Sequence, residues 1–273
     1  MLKRPVITLT TDFGLKDPFV GLIKGVILGI NPDALIVDIT HNVSRHNIFE
    51  ASQVISMSYG YFPSASIHVV VVDPGVGGGR RPILVISNGH YFIGPDNGVF
   101  LHVIEEADAG EVKVIHLTAS HHFLHMSGST FHGRDIFAPV AAWLSKGIDI
   151  HKFGDEITDY VKIPTLRATI ENGNLIKGAV VYIDNFGNAI TNIRKEKVED
   201  MKAGTSDGEL RVVYKDMRLP MADYYEDSPA SGDKLSSIIN SFGLVELYSF
   251  KDSAAKKFNM SIGDEVSVIL DSR

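Results

Sequence analysis

The sequence predicts an α/β domain with a mostly parallel sheet over residues 1–165 and a smaller β-barrel domain over residues 166–273. Three features carry that prediction. Short β-rich runs alternate with helical patterns through the first half of the chain, the pattern of an α/β layer. The run Ile67-His68-Val69-Val70-Val71-Val72 is apolar enough to be covered on both faces, as parallel sheets demand. Beyond about Pro164, strand-like runs follow one another with few helices between them, the pattern of a small barrel or sandwich.

Val6-Ile7-Thr8-Leu9 opens as a strand, and residues 21–30 carry a helical pattern closed by Asn31-Pro32. Leu35-Ile36-Val37-Asp38-Ile39 is the next strand, followed by a helix over residues 48–59. After the 67–72 strand come strands at 82–87 and 91–93, joined by the hairpin signal Asn88-Gly89. A helix starting near Asn97, a strand over 112–117 and a helix over 135–144 complete the first domain. The second domain holds strands at 175–183, 189–193, 210–214, 234–239, 245–250 and 265–270. Glu171-Asn172-Gly173, Asn185-Phe186-Gly187-Asn188 and Ser206-Asp207-Gly208 supply turns between them.

Composition narrows the function. With 44% apolar and 22% charged residues in 273, the chain has an ordinary globular balance and ample length for a core. Twenty-six basic against 33 acidic residues give a net charge of −7, which removes the main driving force for nucleic-acid or anionic-membrane binding. No apolar run reaches the roughly 18–20 residues of a bilayer span, and the start carries no signal-peptide core. The absence of Cys excludes disulfides, thiolate metal sites and a Cys nucleophile. A cytoplasmic protein acting on a small molecule is the expectation.

Four segments hold residues suited to chemistry. Thr10-Thr11-Asp12-Phe13-Gly14 follows the first strand, where open α/β sheets bind ligands. An ionised Asp12 can accept two hydrogen bonds, as a ribose diol requires, or simply cap the following helix. Asp73-Pro74-Gly75-Val76-Gly77-Gly78-Gly79-Arg80 places a carboxylate at a strand end and returns an Arg seven residues on. No Gly-Lys-Ser/Thr follows and a strand comes next, so it is neither a P-loop nor a dinucleotide fingerprint; a mobile turn with a solvated ion pair is the plain alternative. Phe131-His132-Gly133-Arg134-Asp135 offers a proton-handling His or a helix cap. Asp184-Asn185-Phe186-Gly187-Asn188 is a hairpin turn or an aromatic face flanked by polar contacts. His121 and His125 stand at i,i+4, but no Glu completes a zinc-protease motif, and Pro95-Asp96-Asn97-Gly98 starts a helix; both are assigned to structure.

Taken in order, Thr-Asp-Phe-Gly, Val-Asp-Pro-Gly-Val-Gly with Arg80 behind it, Pro-Asp-Asn-Gly, Phe-His-Gly-Arg-Asp, Asp-Asn-Phe-Gly-Asn and Ile239-Asn240-Ser241-Phe242-Gly243 resemble one family. It is that of the S-adenosyl-L-methionine hydroxide adenosyltransferases, relatives of the fluorinating and chlorinating enzymes that use the same substrate. The resemblance runs from Thr10 to about Gly243. It implies hydrolysis of S-adenosyl-L-methionine to adenosine and methionine without a cofactor, in a homotrimer with active sites between subunits. Carried over by position, Asp73, Arg80 and His132 handle the water and Asp12 holds the ribose hydroxyls. Asp17, Asp184 and Ser241 grip the methionine part, and Phe186 and Asn188 lie near the adenine; no metal is implied. In the halogenating relatives the positions matching Asp73 and His132 are neutral, and Val76 stands where the fluorinating enzymes carry a hydroxyl. A carboxylate repels a halide that must also shed its water, so water is the expected nucleophile. Chloride transfer, a non-catalytic nucleoside-binding module and a metal hydrolase built on the His121–125 stretch are the competing functions.

Overall fold

The computed structural model describes residues 4–107, 111–124, 128–203, 208–227 and 234–271. It divides into two compact units, Met1–Ile163 and Pro164–Arg273. His125, Ser206 and Asp207, singled out in the sequence, lie outside the described residues.

The first unit contains strands β1 (Val6–Thr11), β2 (Leu35–Thr40), β3 (Ile67–Val71), β4 (Pro82–Ser87), β5 (His90–Pro95), β6 (Lys113–Leu117) and β7 (Gly154–Glu156), with helices α1 (Phe19–Ile30), α2 (Ile48–Ser58), α3 (Leu101–Glu105) and α4 (Ala138–Ser145). The sheet order is β2-β1-β3-β5-β4-β6-β7. Neighbours from β2 to β5 are parallel, and those from β5 to β7 antiparallel. The sheet is therefore mixed rather than mostly parallel. Asn88 and Gly89, both at positive φ (50° and 73°), turn the chain tightly, and the returning β5, not β4, lies beside β3.

Strand periodicity sorts the core onto two faces. Ile7, Leu9, Val69 and Val71 pack with Ile23 and Ile27 of α1 and Ala138 and Ala141 of α4. Val70, Val72, Val85 and Phe92 point the other way, onto Ala51 and Ile55 of α2 and Val103 of α3. Parallel β1 and β3 pair Thr11 with Val71, so Asp12 and Asp73 leave the sheet at the same edge.

Two helices differ from expectation. The pattern near Asn97 yields only α3, because Asn97 and Asp96 are committed to the neighbouring loop: Asn97 Nδ2 donates to the Val72 carbonyl and Asp96 Oδ2 accepts from Arg81. The helix expected from residue 135 begins as a π-helical turn over Gly133–Phe137 before α4.

The second unit contains β8 (Thr169–Glu171), β9 (Leu175–Ile183), β10 (Ala189–Arg194), α5 (Lys195–Ala203), β11 (Glu209–Tyr214), β12 (Met217–Ala222), β13 (Ser236–Ile239), β14 (Leu244–Tyr248), α6 (Ala254–Lys257) and β15 (Glu265–Asp271). The order β10-β14-β13-β12-β11-β15-β9 closes through a β9–β10 pairing into a seven-stranded barrel, and β8 adds to β9 outside the ring. Val180, Val212, Val245, Leu247, Val266 and Val268 fill it. Closure removes the exposed edges an open sheet would leave. β12 escapes sequence reading because Pro220 interrupts its pattern. Among the described residues no helix is long and apolar enough to cross a membrane.

Candidate active site

Asp73 leaves β3 and Arg80 leads back into β4, and the glycine-rich segment between them folds Arg80 onto the carboxylate. Arg80 Nε donates to Asp73 Oδ1 at 2.9 Å, and Nη2 pairs with Oδ2. The same Nη2 reaches His132 Nδ1 at 2.9 Å, so one guanidinium joins all three side chains. Asp73 and Arg80 side chains are only 5% and 10% exposed, which rules out a solvated surface pair. The guanidinium also lies over the Phe137 ring, 5.4 Å from its centroid. Gly77 is needed here: its φ is +77° and a Cβ would sit 2.8 Å from the Ser129 carbonyl, on the segment that leads to His132.

Two features of the triad matter chemically. Arg80 Nη1 is buried without a hydrogen-bond partner among the described residues, leaving a strong donor beside the carboxylate. His132 titrates below the ordinary histidine value: burial lowers it, Arg80's charge lowers it further, and Asp73 and Asp135 oppose that. A guanidinium only donates, so the contact at Nδ1 fits a neutral ring protonated at Nε2.

The supports are local. Asp96 accepts from Arg81 Nε at 2.9 Å and Nη2 at 2.8 Å, fixing the residue after Arg80. Asp135 takes both Arg134 Nε and Nη2, keeping Arg134 off the triad. Phe131 meets Phe13 and Phe19 edge-to-face at 5.9 and 5.3 Å between centroids, tying the Asp12 loop to the segment carrying His132. Asp12 itself accepts from the His46 backbone N–H at 2.9 Å. Asp17 is exposed just before α1.

The remaining candidates lie on the barrel unit. Asp184 Oδ1 accepts from the backbone N–H of Phe186 and Asn188 at 2.9 and 2.8 Å, and Oδ2 from Asn188 Nδ2 at 3.0 Å. That shapes the β9–β10 hairpin, as a turn reading requires, while leaving Phe186 77% exposed. Ser241 is exposed in the turn between β13 and β14. On the following strand is a residue left unassigned from sequence: Glu246, 2% exposed, accepts from Tyr225 Oη at 2.9 Å and from Nδ2 of Asn240, the residue before Ser241, at 3.0 Å. Burial raises its carboxyl above the usual range; the Asn240 and Tyr225 bonds pull it back, and Asp184's charge adds to the rise. A lone acidic residue within Leu244–Tyr248, an otherwise apolar strand, was the available signal.

Residues 7–154 match the SAM hydroxide adenosyltransferase N-terminal domain and residues 178–267 the C-terminal domain of the same family. The chain is 35% identical to the (R)-S-adenosyl-L-methionine hydrolase of Methanocaldococcus jannaschii, covering 97% of this chain and 95% of that protein. It is 26% identical to the fluorinase of Actinopolyspora mzabensis, covering 97% of each. Among solved structures, an uncharacterized conserved protein from Thermotoga maritima superposes with a TM-score of 0.87 at 33% identity, covering 96% of this chain and 99% of that one.

Proposed function

Because the chain belongs to the SAM hydroxide adenosyltransferase family, we propose that it hydrolyses S-adenosyl-L-methionine to adenosine and L-methionine. Water attacks the ribose C5′ in line with the sulfonium. A C5′–O bond forms as the C5′–S bond breaks, the electron pair returns to sulfur as a neutral thioether, and one proton is released. The leaving group needs no acid, because it departs uncharged. Catalysis then consists of aligning water and receiving its proton. Alignment is worth up to about 7–11 kcal/mol, and proton transfer typically about 10²–10⁴-fold.

The observation that carries this reading is the buried Asp73–Arg80–His132 constellation, joined through one guanidinium. The Arg80 guanidinium orients Asp73 through the charge-assisted pair and favours hydroxide character in the attacking water. Asp73 keeps acceptor capacity beyond its two bonds to Arg80 and receives the proton; His132, neutral with Nδ1 occupied, orients. A buried carboxylate beside the nucleophile disfavours chloride, which competes poorly where an anion already sits. Asp12 holds the ribose hydroxyls, Asp17, Asp184 and Ser241 the methionine part, and Phe186 and Asn188 the adenine side. The hydrolase relative supports S-adenosyl-L-methionine as the substrate and water as the nucleophile.

The working form is read as a cytoplasmic homotrimer with sites completed between subunits. Leu22 and Leu28, apolar side chains exposed on the outer side of α1, are consistent with self-association, and light scattering at the trimer mass tests it. The reaction itself is tested by Asp73→Ala and His132→Ala: each is expected to lose at least about tenfold in kcat while still binding substrate. Native kcat in both variants would end the triad assignment.

A further inference from the structure

The carboxyl ends of β1 and β2 are joined by a chain of polar contacts that runs inward from the surface to the residues flanking Asp12. Lys24 Nζ donates to Asp38 Oδ2 at 2.6 Å. Asp38 Oδ1 faces His41 Nε2 obliquely at 3.2 Å. His41 Nδ1 lies 2.9 Å from Thr11 Oγ1, and the Phe13 N–H donates to that same hydroxyl at 3.3 Å. Thr11 is fully buried and His41 is 4% exposed.

The polarity of the chain is consistent from end to end. A carboxylate facing Nε2 calls for the proton there, which leaves Nδ1 of a neutral ring as an acceptor. Thr11 then donates its hydroxyl hydrogen to Nδ1 and keeps a lone pair for Phe13 N–H. A second set of bonds clamps the same two loops: Gly14 N–H to the His41 carbonyl at 2.7 Å and Val43 N–H to the Thr11 carbonyl at 3.3 Å. His46, held in the left-handed region at φ 64°, turns its N–H onto Asp12 Oδ2 at 2.9 Å. Asp12 is therefore fixed through its neighbours on both sides and through its own carboxylate.

A Thr–His–Asp series also has the ingredients of an activated nucleophile. Burial decides against that use: a hydroxyl with no exposed surface cannot attack a substrate. We propose that His41 and Thr11 are positioning residues that hold the Asp12 carboxylate in the orientation that binds the ribose hydroxyls. The proposal rests on the ribose role read for Asp12.

The test is a substitution series read in KM and kcat with S-adenosyl-L-methionine. Thr11→Val keeps the side-chain shape and strands both His41 Nδ1 and Phe13 N–H. It is expected to raise KM about tenfold with kcat within about twofold, and Thr11→Ser to restore KM. His41→Asn places an amide oxygen where Nδ1 was and is expected near the native KM, whereas His41→Gln reaches toward Asp38 instead and is expected to behave like Thr11→Val. These three variants carry the test if Thr11→Val does not fold. In an Asp12→Ala background, Thr11→Val is expected to add no further KM change beyond about twofold, because the effect passes through Asp12. The proposal is overturned if Thr11→Val and His41→Gln keep native KM while Asp12→Ala raises it, or if the Thr11 effect persists undiminished without Asp12. A native KM in Asp12→Ala itself would instead refute the ribose role, and the purpose of the chain with it.

Discussion

Arg80 Nη2 lies 2.9 Å from His132 Nδ1. An arginine offers only donors, so this bond exists when Nδ1 carries a lone pair, and protonating the ring there removes it. The same guanidinium engages both Asp73 oxygens. One planar side chain thus sets the geometry of the carboxylate and the imidazole together.

Replacing that plane should be costly even when charge is kept. Lys is a point charge and cannot serve Asp73 twice and His132 once in one plane. Arg80→Lys is expected to lower kcat about 10²-fold, in the range for losing a preorganised donor, with KM changed less than about threefold. Steady-state kinetics check it; a Lys variant with native kcat would show that charge alone suffices.

The pH profile follows from the direction of the His132 shift. Its folded value is lowered below 6.5, chiefly by burial and then by Arg80. The neutral ring is therefore the dominant form above 6.5, and the Arg80 contact is lost as pH falls through the lowered value. The pH profile of kcat/KM, which reports the free enzyme, is expected to stay flat from pH 8 to about 6.5 and to fall only below that. A limb centred above 6.5 that disappears in His132→Asn would contradict the assignment.

Stability has a separate acid limb from the far side of the sheet. His68, fully buried, bonds Thr8 Oγ1 at 2.8 Å and His90 Nδ1 at 3.2 Å, and stacks on Phe92. Burial, then His90's charge, lowers it from 6.5 to about 3. Between those values the unfolded chain binds a proton that the folded chain refuses. Stability is present above 6.5 and is lost as pH falls toward 3, with a slope of up to about 1.4 kcal/mol per pH unit. Thermal melts from pH 7 to 4 should show falling Tm, and His68→Asn should flatten the profile. An unchanged profile in His68→Asn would place the acid sensitivity elsewhere.

Phe186 separates binding from folding. At 77% exposure it adds little to the barrel, so Phe186→Ala should change stability by less than about 0.5 kcal/mol. If its ring stacks on the adenine, KM should rise about five- to hundredfold, the range for one base on one aromatic. A destabilised variant with native KM would reverse the assignment.

The legible parts of the site were those written in contiguous residues. Asp73 and Arg80 share one loop, and the hairpin at Asp184–Asn188 is closed by its own side chains. Placing His132 on Arg80 needed the family resemblance, because 52 residues separate them. What escaped was tertiary. That β5 rather than β4 lies beside β3 is a choice between two apolar strands, and nothing local distinguishes them. Glu246 draws its meaning from Asn240, set opposite by the β13–β14 hairpin, and from Tyr225, 21 residues away. His41 and Thr11 meet only because β1 and β2 are parallel neighbours. The π-helical turn at Gly133–Phe137 carries no propensity signal that distinguishes it from α-helix.

Attack of water on C5′ leaves the oxygen of that water in the nucleoside product. It is tested most directly by incubating the protein with S-adenosyl-L-methionine in oxygen-18 water, with and without chloride, and analysing the products by mass spectrometry. The expected products are methionine and adenosine carrying one heavy oxygen at the 5′ position, unchanged by chloride. A 5′-chlorinated nucleoside, or substrate recovered intact, would contradict it.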